Sequence, residues 1–213
     1  MITLPDITSI FLFSLSSIIL IITPGPAFLY IFTKTTEKGY KAGILSVLGI
    51  EVGTLLHIVT VAFSFSTVLL SSSIAFTIIT YGGALYLIFL GVKTFYSTYN
   101  SNSKNTLIIK SATSNDFWSG VIVSALNPKS ILFFVVFLPQ FVNISKRNEA
   151  SQILFLGLLF IVIAVTWGFL FVFLSSKLGN YLKTKFTNLE VLNYIVGIIY
   201  IGIGLFSLFF FTK

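Results

Sequence analysis

The sequence predicts an all-α polytopic membrane protein: six transmembrane helices forming two inverted three-helix repeats, with helices 1 and 4 broken. Three observations predict it. Of 213 residues, 56% are hydrophobic and only 9% charged, against about a quarter charged in a soluble domain. The apolar residues fall into six runs, at 7–32, 40–67, 74–96, 117–140, 152–175 and 190–211, each near the ~20 residues that cross a hydrocarbon core. The first and fourth runs are interrupted by proline at corresponding places.

The first run begins without a preceding Lys or Arg and without a small-residue cleavage site, so it reads as an uncleaved span. It breaks at Thr23-Pro24-Gly25-Pro26 and then resumes. The second run carries Gly49-x-x-x-Gly53, a spacing that lets helices approach closely, within the bundle or across a homodimer. The third contains GALYLIFLG (83–91), and the sixth contains GIIYIGIG (197–204), both opening Gly-x-x-Tyr. The fourth breaks at Asn127-Pro128-Lys129. These correspondences divide the chain into a first repeat (1–96), a cytoplasmic linker (97–116) and a second repeat (117–213), with no room for a separate soluble domain.

Charge sets the orientation. Lys34, Lys38, Lys41, Lys93, Lys104, Lys110, Lys177, Lys183 and Lys185 lie in or beside the connections after runs one, three and five. The other side holds Lys146, Arg147 and Lys213. The positive-inside rule therefore places the first set in the cytoplasm and both termini outside. It also accounts for the net charge of +7 without a nucleic-acid partner. With no cysteine, disulfides and thiolate metal sites are excluded, and no cofactor is expected.

Gly25, Glu51, Asn127 and Lys129 each lie about nine to twelve residues in from the cytoplasmic ends of their runs. At 1.5 Å per residue that is about 14–18 Å, near the middle of the bilayer. Away from the ends of the runs, Glu51 is the only acid and Lys129 the only base. Each costs roughly 2.5–3.5 kcal/mol at that depth on insertion scales, so both are expected to face the bundle interior and to be able to pair. Pro24, Pro26 and Pro128 lack N–H groups and leave carbonyls a turn earlier free to accept from an ammonium or a cation. The helices resuming after the breaks offer N–H groups to an anion. Acceptors, donors, a carboxylate and an ammonium around one point suit a small zwitterion such as an amino acid. The plainer alternatives are a structural Glu51–Lys129 bridge and proline kinks that only shape the bundle.

The ordered set of motifs resembles the LysE translocator family of LysE/RhtB-type amino-acid exporters. The likeness is carried by TPGP followed by KGYKAG (38–43), LGIEVG (48–53) with His57 beyond it, GGALYLIFLG (82–91) and ALNPKSILFFVVFLPQF (125–141). It covers nearly the whole chain. The resemblance implies a six-helix exporter of amino acids or related metabolites in a bacterial inner membrane, coupled to the proton gradient. Two positions depart from the family pattern: Ala27 stands where Asp or Asn usually follows Pro-Gly-Pro, and Glu51 stands where a small or apolar residue is usual. Glu51 is thus expected to take over the polar role missing at position 27.

The expected substrate site is therefore Pro24, Gly25, Pro26, Glu51, Asn127, Pro128 and Lys129, with Glu51 and His57 as candidates for proton coupling. His57 lies about 240° around the helix from Glu51, so a plain hydrogen bond is the alternative for it. The expected partners are the substrate, protons and the lipid bilayer. A hard-cation exporter is the nearest rival, opposed by the ammonium of Lys129. A membrane-embedded enzyme is less favoured, because the sequence has no Gly-x-Ser-x-Gly, no paired intramembrane acids and no His-Glu-x-x-His.

Overall fold

The computed structural model describes residues 4–71, 73–100, 115–143, 148–185 and ten further positions between Tyr194 and Phe209. Most of the expected linker, much of the sixth run, Lys104, Lys110, Lys146, Arg147 and Lys213 lie outside the described residues. Among those described, all regular structure is helical.

Helix α1 (Ile7–Ile22) and helix α2 (Pro26–Lys38) form the first broken span, bent by 52°. Pro26 occupies the first turn of α2, where its missing N–H costs no hydrogen bond. The helix runs past the expected end at residue 32 and stops where Gly39 adopts a φ of +88°, a conformation that glycine takes without strain. Helix α3 (Tyr40–Ser71) and helix α4 (Ser73–Asn100) follow.

Helix α5 (Asp116–Ala125) and helix α6 (Pro128–Leu132) make the second break. The chain continues from α6 through a π turn (Phe133–Phe137) and a 3₁₀ turn (Leu138–Phe141), and the two arms of this span are bent by 50°. Asn127 caps α6 by accepting from the Lys129 backbone N–H at 3.1 Å, and Pro128 fills its first turn. Helix α7 (Glu149–Lys185) exceeds the expected 152–175 because it carries on into polar sequence at both ends.

Residues Tyr40–Ser64 and Glu149–Leu178 have mean hydropathies of 2.0 and 2.7 and are long enough to cross a membrane, as is each bent pair. Large side chains such as Phe11, Leu56 and Val162 are exposed, as lipid-facing positions require. Helix α3 is the centre of the bundle, packed against α2, α5 and α7. Gly49 and Gly53 face α5. A Cβ at Gly49 would collide with the Phe117 carbonyl, and one at Gly53 would lie 2.7 Å from the Val121 carbonyl. The Gly-x-x-x-Gly pair thus serves packing within the chain.

Two apolar clusters hold the bundle together. One joins α1, α3, the π turn and α7 through Phe13, Ile58, Phe133, Phe134, Ile153 and Phe160. The other joins α2, α3 and α7 through Tyr30, Ile31, Val47, Ile50, Phe171 and Val172. Between them the helix breaks leave room for a cavity.

Candidate functional site

Proline chemistry builds the site. In an unbroken helix the Leu20 carbonyl would accept from the N–H four residues on, at Pro24, which has none. Its acceptor is instead filled from 109 residues away: Lys129 Nζ donates to Leu20 O at 2.6 Å and to Thr23 O at 2.7 Å. The second break repeats the logic. The Ser124 carbonyl loses its helical donor at Pro128, and it accepts from the Asn127 N–H at 3.0 Å and from His57 Nε2–H at 3.1 Å. Each break is thus stitched to a distant helix by a cationic or imidazole donor.

Lys129 is buried, 8% exposed. Charge-assisted hydrogen bonds contribute roughly 1.5–3 kcal/mol each, which offsets much of the cost of placing an ammonium there. An ammonium has three N–H groups, and two are committed to these carbonyls. Gly25 abuts it: a Cβ at Gly25 would meet Lys129 Cδ at 3.5 Å and Nζ at 3.7 Å.

Glu51 does not form the alternative, structural bridge to Lys129: no ion pair joins them among the described residues. Its Oε2 is buried with no hydrogen-bond partner among the described residues. Thr54, one turn on, stands beside the carboxylate and exchanges a 3.2 Å hydrogen bond with Ser124 Oγ on α5. The reason is competition: the two carbonyls beside Pro24 are fixed acceptors close to Nζ, and they take the ammonium first.

Glu51 and Lys129 nevertheless line one cavity of about 90 Å³. Gly25 and Asn127 line it too, as does Ala27, so the carboxylate at position 51 and the methyl group at position 27 share a single space. The remaining wall is largely apolar, with Phe28, Ile31, Phe160 and Phe171. Pro24, Pro26 and Pro128 are not among the lining residues and act through the carbonyls they free. His57 is not brought into the cavity either. Its ring stacks on Phe134 at 6.2 Å, and its Nε2 is held by Ser124. Tyr200 is buried but lines no part of the cavity, and the side chain of Tyr86 lies outside the described residues.

Sequence reasoning named Thr23 only as part of the broken motif and did not single out Thr54, Ser130 or Trp167; all four line the cavity. Thr54 carries a signal in its i+3 spacing from Glu51. Trp167 carries none, because one aromatic ring in an apolar run is indistinguishable from a lipid-facing residue.

At the basic end of the bundle Lys34 and Lys38 of α2 both meet Asp116 Oδ1 on α5, each at 2.9 Å. The Tyr30 hydroxyl donates to the Asp116 carbonyl at 2.8 Å. Side-chain exposures of 8% for Lys34 and 13% for Asp116 make that pair the enclosed one, whereas Lys38 is 47% exposed.

Broken apolar helices around an interior cavity that holds a carboxylate and an ammonium define a multi-pass membrane protein of the transporter class. The chain matches the LysE type translocator family over residues 18–209, and it belongs to that family. It is 32% identical over 195 residues to the membrane protein YrhP of Bacillus subtilis, covering 87% of this chain and 91% of that protein. It is 25% identical over 186 residues to the leucine efflux proteins of Salmonella choleraesuis and Salmonella typhimurium, covering 87% of this chain and 88% of each. No solved structure matches it.

Proposed function

We propose that the protein is a secondary active transporter that exports an amino acid, or a closely related small zwitterion, across the bacterial inner membrane. One observation carries the reading: Glu51, whose carboxylate keeps one oxygen without a hydrogen-bond partner among the described residues, and Lys129, a buried ammonium with one N–H uncommitted, line the same interior cavity. Lys129 receives the substrate carboxylate and Glu51 its ammonium. The apolar wall of Phe28, Ile31, Phe160 and Phe171 favours an apolar side chain. Leucine is the first candidate, in keeping with the names of the Salmonella relatives.

A hard cation is less well served, because the carbonyls of Leu20 and Thr23 that would bind it are held by Lys129. The two breaks, at Pro24 and Pro128, support the division into inverted repeats at 1–96 and 117–213, joined by a cytoplasmic linker. Rocking of one repeat against the other would expose the cavity alternately to the cytoplasm and, where both termini lie, to the outside. Protonation of Glu51 couples the cycle, since the neutral acid no longer holds an ammonium. His57 then anchors the second break rather than relaying protons.

Purified protein in vesicles loaded with labelled leucine tests this. Outward transport driven by an imposed proton gradient, and uncoupled from that gradient in Glu51→Gln, is the expected result. Leucine release that is independent of the gradient in the native protein would refute the coupling. Release no faster than from protein-free vesicles would refute the substrate.

A further inference from the structure

Trp167 on α7 lines the cavity, and its indole Nε1 is buried with no hydrogen-bond partner among the described residues. The same holds for Glu51 Oε2 on α3. Folded interiors leave few buried polar atoms unpaired, and each one left calls for a partner. Here the unpaired atoms are of opposite kinds. An indole N–H only donates, and a carboxylate only accepts. A ligand that satisfies both must present an acceptor to one and a donor to the other.

Lys129 supplies the rest of the geometry. Two of its three N–H groups are committed to Leu20 O and Thr23 O, so it offers an incoming anion a single hydrogen bond. A carboxylate has two oxygens and room for several donors, and one bond leaves it under-satisfied. Trp167 is a neutral donor in the same cavity, and its buried N–H has no acceptor among the described residues.

We propose that Trp167 is a substrate-binding residue whose Nε1–H donates to the carboxylate of the exported zwitterion, completing with Lys129 a two-donor seat while Glu51 takes the ammonium. This rests on the amino-acid reading above. It assigns Trp167 a specificity role: the residue distinguishes a free amino acid from the amine that lacks the carboxylate. The ring itself belongs to the apolar wall, so a phenyl group fills most of its space and removes the donor.

The experiment is leucine transport in vesicles by the native protein and by Trp167→Phe, with isopentylamine, the decarboxylated analogue of leucine, as a competitor. One hydrogen bond to a charged group corresponds to a change of about tenfold or more. Trp167→Phe is expected to raise the half-saturating leucine concentration by about that factor and to leave the inhibition constant of isopentylamine unchanged. An unaltered leucine half-saturation would overturn the proposal while leaving the amino-acid reading intact. A parallel weakening of leucine and isopentylamine would overturn it too, by revealing a purely structural ring. No leucine transport by the native protein would sink both together.

Should Trp167→Phe fail to insert, Trp118→Phe leaves Trp167 as the one tryptophan. Leucine then shifts the fluorescence of that purified variant if Trp167 meets the substrate, and an unshifted spectrum at saturating leucine counts against the proposal.

Discussion

Lys129 Nζ donates to the Leu20 carbonyl at 2.6 Å, joining the second broken helix to the carbonyl that Pro24 leaves without a helical donor. The bond does two jobs. It satisfies an acceptor that has no water to turn to in the bilayer interior, and it holds a positive charge at the wall of the cavity. Removing the ammonium therefore harms structure and binding together. Lys129→Met is expected to lower stability by roughly 2–5 kcal/mol, through two buried carbonyls left unpaired, measured by thermal unfolding in detergent. Lys129→Arg is not expected to restore export, because a planar guanidinium cannot reproduce the point-like fit of the ammonium between Leu20 and Thr23.

Ala27 and Glu51 line the same cavity from different helices. If the carboxylate matters by its presence there rather than by its place in the chain, it can be moved. Glu51→Gln alone is expected to cut export by about tenfold or more, the loss of one charge-assisted contact. Ala27→Asp combined with Glu51→Gln is expected to recover a substantial part of that loss. Efflux rates normalised to membrane abundance read the result, and a double variant no better than Glu51→Gln would confine the role to position 51.

His57 and Ser124 form the counterpart of the Lys129–Leu20 contact at the second break. His57 is outside the cavity, so its loss is expected to act on the fold. His57→Ala should cost about 0.5–1.5 kcal/mol, the worth of one hydrogen bond, because the Asn127 N–H still reaches the Ser124 carbonyl. It should also leave the half-saturating substrate concentration near the native value. His57→Gln, which keeps a donor, should lose less stability. A selective loss of gradient coupling in His57→Ala, with stability unchanged, would instead make this residue a proton carrier.

Asp116 holds two lysines of α2 on one carboxylate oxygen. Lys34 is the enclosed partner, so Asp116→Asn strands a charge that has little access to water. The thermal midpoint is expected to fall further for Asp116→Asn than for Lys38→Ala, which removes a half-exposed partner screened by solvent. Equal effects would show that the cluster acts as a surface pair.

Gly49 and Gly53 seat α3 directly on α5. Gly49→Val must push the helices apart at the Phe117 carbonyl, on the arm that leads to the break at Asn127. Loss of folded protein in the membrane is the expected outcome, seen as reduced abundance and early aggregation on size-exclusion chromatography. Normal abundance would mean that the helices can separate without cost.

Much of this was legible in the sequence, and the reasons are physical. Prolines in an apolar run announce freed carbonyls, and lone charges in such runs announce an interior, because lipid tolerates neither. Depth follows from counting residues, so Gly25, Glu51, Asn127 and Lys129 could be assigned to one level, and all four line one cavity. Azimuth and competition do not follow from counting. Matching charges left a Glu51–Lys129 bridge open as an alternative, and only the packed structure shows backbone carbonyls at 2.6 and 2.7 Å claiming the ammonium. Trp167 was illegible for a different reason. What marks it is a buried N–H with no partner among the described residues, and that property exists only once the helices are packed.

The central claim is that a zwitterion is held between Glu51 and Lys129. Efflux of labelled leucine from preloaded cells, comparing the native chain with Lys129→Ala at matched membrane abundance, tests it most directly. The account predicts efflux from the native chain and none above background from the variant. Native-rate efflux through Lys129→Ala would contradict it.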